Sequence, residues 1–160
     1  NIGVIGCKVL NEDLSFQLSS RRRFPYTKYI LPYILKFQYF GFENLYNYSD
    51  ISEEKISTVD SVSGSFMMFS KDVYNILGKF DERFFLYFED TDFCIRAKEN
   101  GFNVVYYPHS TIIHLKNKSI TRKNYLFVKF HFYKSFFKFY VKYFNYYFKI
   151  INRYLCQNIF

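Results

Sequence analysis

Three carboxylates fall within four residues in the run Glu89-Asp-Thr-Asp92. Aromatic side chains surround them, at Phe84, Phe85, Tyr87, Phe88 and Phe93. The spacing places the acids at the start of a predicted helix, where free N–H groups and the helix dipole stabilise anions. A carboxylate in an aromatic-lined cleft is suited to general-base chemistry, because desolvation raises its pKa while a nearby cation holds it down. The same residues also fit a structural role. Acids commonly cap helices, and Asp92 can pair with Arg96 one turn on.

The elements around the run follow from local pattern. Residues 2–10 form a short β-branched run closed by Asn11-Glu12-Asp13, a strand and turn. Residues 16–24 read as a second extended segment ending at Pro25, with Arg21-Arg22-Arg23 just before it. Residues 26–42 permit helix, with an interruption expected at Pro32. The polar stretch 43–57 is the best candidate for a mobile loop. Residues 66–69 read as a strand, and Ser70 as the cap of a short helix with Asp72 in its first turn and Gly78 at its end. The acidic run then opens a helix over about 90–100, stopped at Gly101. Two strands are expected after it, 103–107 closed by Pro108 and 111–115 ending near His114. From Thr121 onward the pattern is one long helix or two shorter ones.

Composition is that of a globular chain, with 49% hydrophobic and 22% charged residues among 160. Charge is divided unevenly. Residues 1–99 hold 12 Lys or Arg against all 14 acids, a net −2, whereas residues 100–160 hold 10 basic residues and no acid. The second part is a surface that seeks anions. Cys7, Cys94 and Cys156 are odd in number and lack CxxC spacing, which argues against a disulfide framework or structural zinc and for a reducing compartment. No apolar run reaches the roughly 18 residues of a membrane span.

Several segments in order resemble family 2 glycosyltransferases, the rhamnosyltransferase-like and galactofuranosyltransferase-like members above all. They are Gly64-Ser-Phe-Met-Met, the stretch from Gly78-Lys-Phe-Asp-Glu through Glu89-Asp-Thr-Asp92 to Arg96, Gly101-Phe-Asn-Val-Val-Tyr-Tyr-Pro108, and Ile113-His114. Gly3 to Leu10 and Arg21-Arg-Arg-Phe-Pro25 add to the likeness. Residues 1–120 carry it. They correspond to the C-terminal, acceptor-side half of an α/β GT-A (Rossmann-like) domain, and residues 121–160 form a basic, aromatic helical tail.

The resemblance implies an inverting transfer of sugar from a nucleotide-sugar donor, dTDP- or UDP-linked, to the hydroxyl of a glycan or lipid-linked acceptor. By position Asp90 matches the general base. Glu89 and Asp92 would shape the acceptor site or orient Asp90, with Arg96 beside them, and Gly64 and Ser65 would line the donor–acceptor junction. His114 matches a ligand of a divalent cation, Mg²⁺ or Mn²⁺; on its own a lone His at a strand end is more often structural. The nucleotide-binding half and its Asp-x-Asp pair are expected before Asn1, so residues 1–160 alone should transfer poorly.

The tail has a pattern of its own. Lys134, Lys138 and Lys142 recur at four-residue steps, with Lys149 and Arg153 near the same face. Phe132, Phe136, Phe139, Tyr143 and Tyr147 lie on others. That suits an amphipathic helix in a membrane interface, and the resemblance implies a cytoplasmic enzyme peripheral on the inner face of the plasma membrane. It equally suits packing of the aromatics on the catalytic domain. No nucleic-acid motif accompanies the basic residues. A non-catalytic module that docks on a membrane or a partner is the competing expectation.

Overall fold

The computed structural model describes residues 1–115 and 122–157, and the side chains among them except those at 38, 122–124 and 144–157. Its centre is a parallel pair, β1 (Ile2–Leu10) and β5 (Asn103–Ile113), extended by the antiparallel β3 (Ser57–Thr58) on the other edge of β5. A second small ladder joins β2 (Arg21–Arg22) to β4 (Ser61–Val62). Val4, Val62, Val104 and Tyr106 are fully buried between these strands. The ladder crosses β1 closely: a Cβ on Gly6 would stand 2.4 Å from Cβ of Val62, so only glycine fits there.

The fold is α/β, as the residue pattern implies, and several local expectations hold for their stated reasons. Ser70 Oγ accepts from the Val73 N–H at 3.2 Å and caps α2 (Lys71–Leu77). Gly78, at φ 73°, ends that helix, and Gly101, at φ 78°, follows α3 (Glu89–Glu99). Other expectations are corrected. Residues 66–69 form no strand; Met68 makes a single bridge to Ile5. Segment 16–24 is extended only in part: Phe16 bridges to Leu10, Leu18–Ser20 form a 3₁₀ turn, and Arg21–Arg22 form β2. Pro32 lies inside α1 (Thr27–Ile34), which closes two residues later because the missing N–H weakens only the last turn.

Pro108 does not divide β5. Cys7 pairs with Tyr107 and Lys8 with Thr111, so residues 108–110 bulge out and the ladder resumes. A residue without an N–H is tolerated because the bulge takes it out of pairing. The 43–57 segment is tied down. Arg21, 1% exposed, donates to the Ser52 carbonyl at 3.1 Å and to that of Ile51. Arg23 pairs with Asp50, at 2.8 and 2.5 Å through its two terminal nitrogens.

From Asp90 to Ile95, α3 is buried on every side. One side meets the strands; the other is covered by α4 (Arg122–Gln157). Phe139 is fully buried and Tyr143 nearly so, with Phe132, Phe136 and Tyr140 packed against the same core. Phe132, Phe136, Phe139 and Tyr143 are aromatics that the tail pattern offered either to lipid or to the catalytic domain, and they face the domain. Lys142 also points inward. A different stripe faces outward: Leu126, Phe130, Tyr133, Phe137 and Val141, each more than half exposed. Tyr147, Lys149, Arg153 and Cys156 lie outside the described side chains. Among the described residues no helix is long and apolar enough to cross a membrane, and Cys7 and Cys94 are buried free thiols.

Candidate active site

The two parallel strands end together, with the His114 N–H donating to the Leu10 carbonyl at 2.9 Å. Ligands of open α/β sheets lie in the crevice outside the carboxyl ends of the strands. A cavity of about 520 Å³ occupies that place, between α1, the start of α3 and the first half of α4. Its wall brings together Gly64, Ser65, Glu89, Asp90 and His114, five positions drawn from three separate parts of the sequence.

Asp90 sits in the first turn of α3, 6% exposed. Its Oδ2 accepts from Arg22 Nη2 at 2.6 Å and from the Gly64 N–H at 2.9 Å. Its Oδ1 accepts from the Thr91 N–H at 2.7 Å and meets Thr91 Oγ1 at 3.3 Å. The carboxylate is therefore fixed by a cation, two backbone amides and a hydroxyl. Burial works most strongly against the Arg22 charge, but the charge and hydrogen bond of Asp90, with Tyr46 and Cys94 nearby, together hold the guanidinium pKa above its ordinary value. Gly64 serves through its amide; a Cβ there would meet Asp90 at 3.4 Å, an ordinary contact.

Glu89 differs from its neighbour. Its Oε2 is buried with no hydrogen-bond partner. Burial, and then the Asp90 charge, raise the pKa of this carboxyl. A carboxyl raised by burial in the wall of a cleft is a recurring feature of functional sites.

Asp92 and Arg96 do not reach the cavity. Asp92 is fully buried and accepts from Arg96 Nε at 2.9 Å, from Tyr143 Oη at 2.6 Å and from Lys142 Nζ. Arg96 donates onward to the Leu77 and Lys79 carbonyls at the end of α2. Their pairing is the one-turn contact open to them in the sequence, enlarged into a buried network that joins α2, α3 and α4.

His114 is oriented by Gln17, whose Nε2 donates to the His114 carbonyl at 2.9 Å and whose Oε1 lies 3.3 Å from Nδ1. With Gln17 Oε1 as acceptor the proton sits on Nδ1, which leaves the Nε2 lone pair for a ligand. Among the described residues no group of three or more His, Cys, Asp or Glu is arranged to hold a metal. His114 fits a cation only as a single ligand.

The cavity wall also includes Arg22, Tyr33, Tyr46 and Phe132, none of which the sequence pattern assigned to the site. Arg22 pairs with Asp90 across 68 positions, so no local spacing announces it. The one available signal was three consecutive arginines in an extended segment. Alternation along such a segment sends neighbours to opposite faces. Tyr46 is buried, and that burial is the main reason its phenol pKa lies well above the ordinary value.

An α/β fold with a carboxylate-lined cleft at the carboxyl edge of its parallel strands defines the class of site. Residues 44–129, more than half of the chain, match the model of the glycosyltransferase like family 2, and the chain belongs to that family. It is 38% identical over 52 residues to the low-salt glycan biosynthesis hexosyltransferase Agl10 of Haloferax volcanii, covering 32% of this chain and 17% of that protein. It is 36% identical over 61 residues to the N-acetylglucosaminyl-diphospho-decaprenol L-rhamnosyltransferase of Mycobacterium tuberculosis, covering 38% of this chain and 20% of that one. The matched stretches thus span a fifth or less of those relatives. No solved structure matches the chain.

Proposed function

We propose that this chain supplies the acceptor side of a glycosyltransferase that moves a sugar from a nucleotide-sugar donor to a hydroxyl with inversion, Asp90 acting as the general base. The observation that carries the reading is the convergence of Asp90, Glu89, Gly64 and His114 on one cavity. Asp90 must take a proton as the acceptor oxygen attacks the anomeric carbon. Its contact with Thr91 Oγ1, at 3.3 Å, is the longest of its four. Rotation of that hydroxyl frees a lone pair on Oδ1 without disturbing Arg22. Arg22 holds the carboxylate in place, and the unpaired Oε2 of Glu89 suits a neighbouring acceptor hydroxyl.

A divalent cation, Mg²⁺ or Mn²⁺, would be held in part by His114 Nε2 and would neutralise charge on the leaving diphosphate. The donor is dTDP- or UDP-linked, in keeping with a rhamnosyltransferase among the relatives, and the acceptor is a glycan or a lipid-linked sugar of the cell envelope. The work is cytoplasmic, at the inner face of the plasma membrane.

Peripheral membrane contact belongs to the same proposal. The outward stripe of α4 and the exposed Lys129 and Lys134 beside it favour an anionic lipid interface over bulk water. The direct test is sugar transfer by the intact protein from dTDP-rhamnose and UDP-hexoses to a prenyl-diphosphate-linked sugar, with and without chelator. Donor-dependent, chelator-sensitive product with inverted anomeric configuration supports the reading. Retained configuration, or turnover indifferent to chelator, counts against the mechanism proposed.

A further inference from the structure

Two consecutive aromatic residues directly before the acidic run have left-handed backbones, Tyr87 at φ 67° and Phe88 at φ 71°. Side chains with a Cβ disfavour this region, so the surroundings must impose it. The turn aims Glu89 and Asp90 into the cavity, and what surrounds it is α4. Ser135 Oγ donates to the Leu86 carbonyl at 2.7 Å, and Lys138 Nζ to the Arg83 carbonyl at 3.0 Å. The Phe139 ring lies 6.3 Å from Phe84 and 5.1 Å from Phe88. On the far side of the pair, Lys142 and Tyr143 grip Asp92. Glu89 and Asp90 therefore sit between two fastenings to one helix face, made at three- and four-residue steps from Ser135 to Tyr143.

We infer that α4 is a positioning element for this site and that Ser135 and Tyr143 are positioning residues, acting through the 84–92 backbone without touching substrate. They lie beyond residues 44–129, the stretch that matches the family model. The inference rests on the proposed transfer reading for its catalytic consequence but not for its structural one.

The experiment compares intact wild type with Ser135→Ala and Tyr143→Phe, by amide hydrogen exchange and by steady-state transfer. Tyr143→Phe is the milder variant, because its ring stays packed on Phe139. Exchange in 84–90 should quicken about five- to tenfold, the factor for one lost hydrogen bond, while amides of β1 and β5 hold their rates. Turnover should fall by a similar factor with the nucleotide-sugar KM changed less than about twofold. Unchanged exchange in 84–90, acceleration spread evenly through β1 and β5, or full kcat in a variant with loosened 84–90 overturns the inference. If wild type transfers no sugar, the transfer reading fails on its own and the exchange arm still decides whether α4 holds the turn.

Discussion

Arg22 Nη2 donates to Asp90 Oδ2 at 2.6 Å, joining β2 to the first turn of α3 across 68 residues of sequence. The pair is largely buried, with side-chain exposures of 14% and 8%. Removing one member of such a pair strands the other charge, at a cost of about 3–5 kcal/mol. Arg22→Gln should therefore lower unfolding free energy by about that amount in a urea titration, with turnover lost as well. A change below about 0.5 kcal/mol would mean that the pair is open in solution.

Asp92 and Asp90 should separate in their effect on transfer, since both hold buried cations but only Asp90 lines the cavity. Asp92→Asn leaves the partly buried Lys142 and Arg96 facing a neutral amide at a fully buried position, so its main effect is on stability. A loss of about 2–4 kcal/mol in chemical denaturation is expected. An unchanged midpoint would place Asp92 outside the scaffold.

Much of this site was legible because its signals are local. The acidic run, Gly64 and His114 each stand in short motifs, and a motif survives without knowledge of long-range contacts. Arg22 was not legible, since its partner is supplied by tertiary structure. Nor was the inward face of α4. That helix carries aromatics all round, so its pattern does not choose between Phe139, which is buried, and Phe137, 70% exposed. Pro108 misled for a related reason: a missing N–H marks either a strand end or a bulge, and only the register with β1 distinguishes them.

Phe139→Ala should cost about 3–5 kcal/mol, the usual penalty for emptying a buried aromatic site. Phe137→Ala, on the outward stripe, should cost less than about 0.5 kcal/mol. Phe137→Asp should instead weaken co-sedimentation with phosphatidylglycerol vesicles at low salt, with phosphatidylcholine vesicles as the control. Equal binding by wild type and Phe137→Asp would remove this stripe from any lipid contact.

Stability should respond to acid through two carboxyls of opposite sign. Arg83 first, and Lys142 with it, hold the Asp81 carboxyl below its ordinary value of 3.8 against the opposing effect of burial. Its contribution is present above that ordinary value and is lost as pH falls through the lowered folded pKa. Glu89 is raised, by burial and then by Asp90, from an ordinary 4.5. Its contribution is full below 4.5 and is lost as pH rises through the raised folded pKa. In urea midpoints measured from pH 7 down to pH 2, Asp81→Asn should flatten the acid limb, and Glu89→Gln should gain stability at neutral pH. Parallel curves for wild type and both variants would contradict these assignments.

The most direct test of the account is Asp90→Asn in the intact protein, assayed for sugar transfer alongside a circular dichroism melt. The amide keeps the shape of the carboxylate but gives up the basicity that a proton acceptor needs. Transfer, assayed well below the melting midpoint of the variant, should fall by about 10²–10⁴-fold, the range for loss of a positioned general base, beyond the stability lost by leaving Arg22 without its partner charge. Near wild-type transfer by a folded Asp90→Asn protein would contradict the assignment.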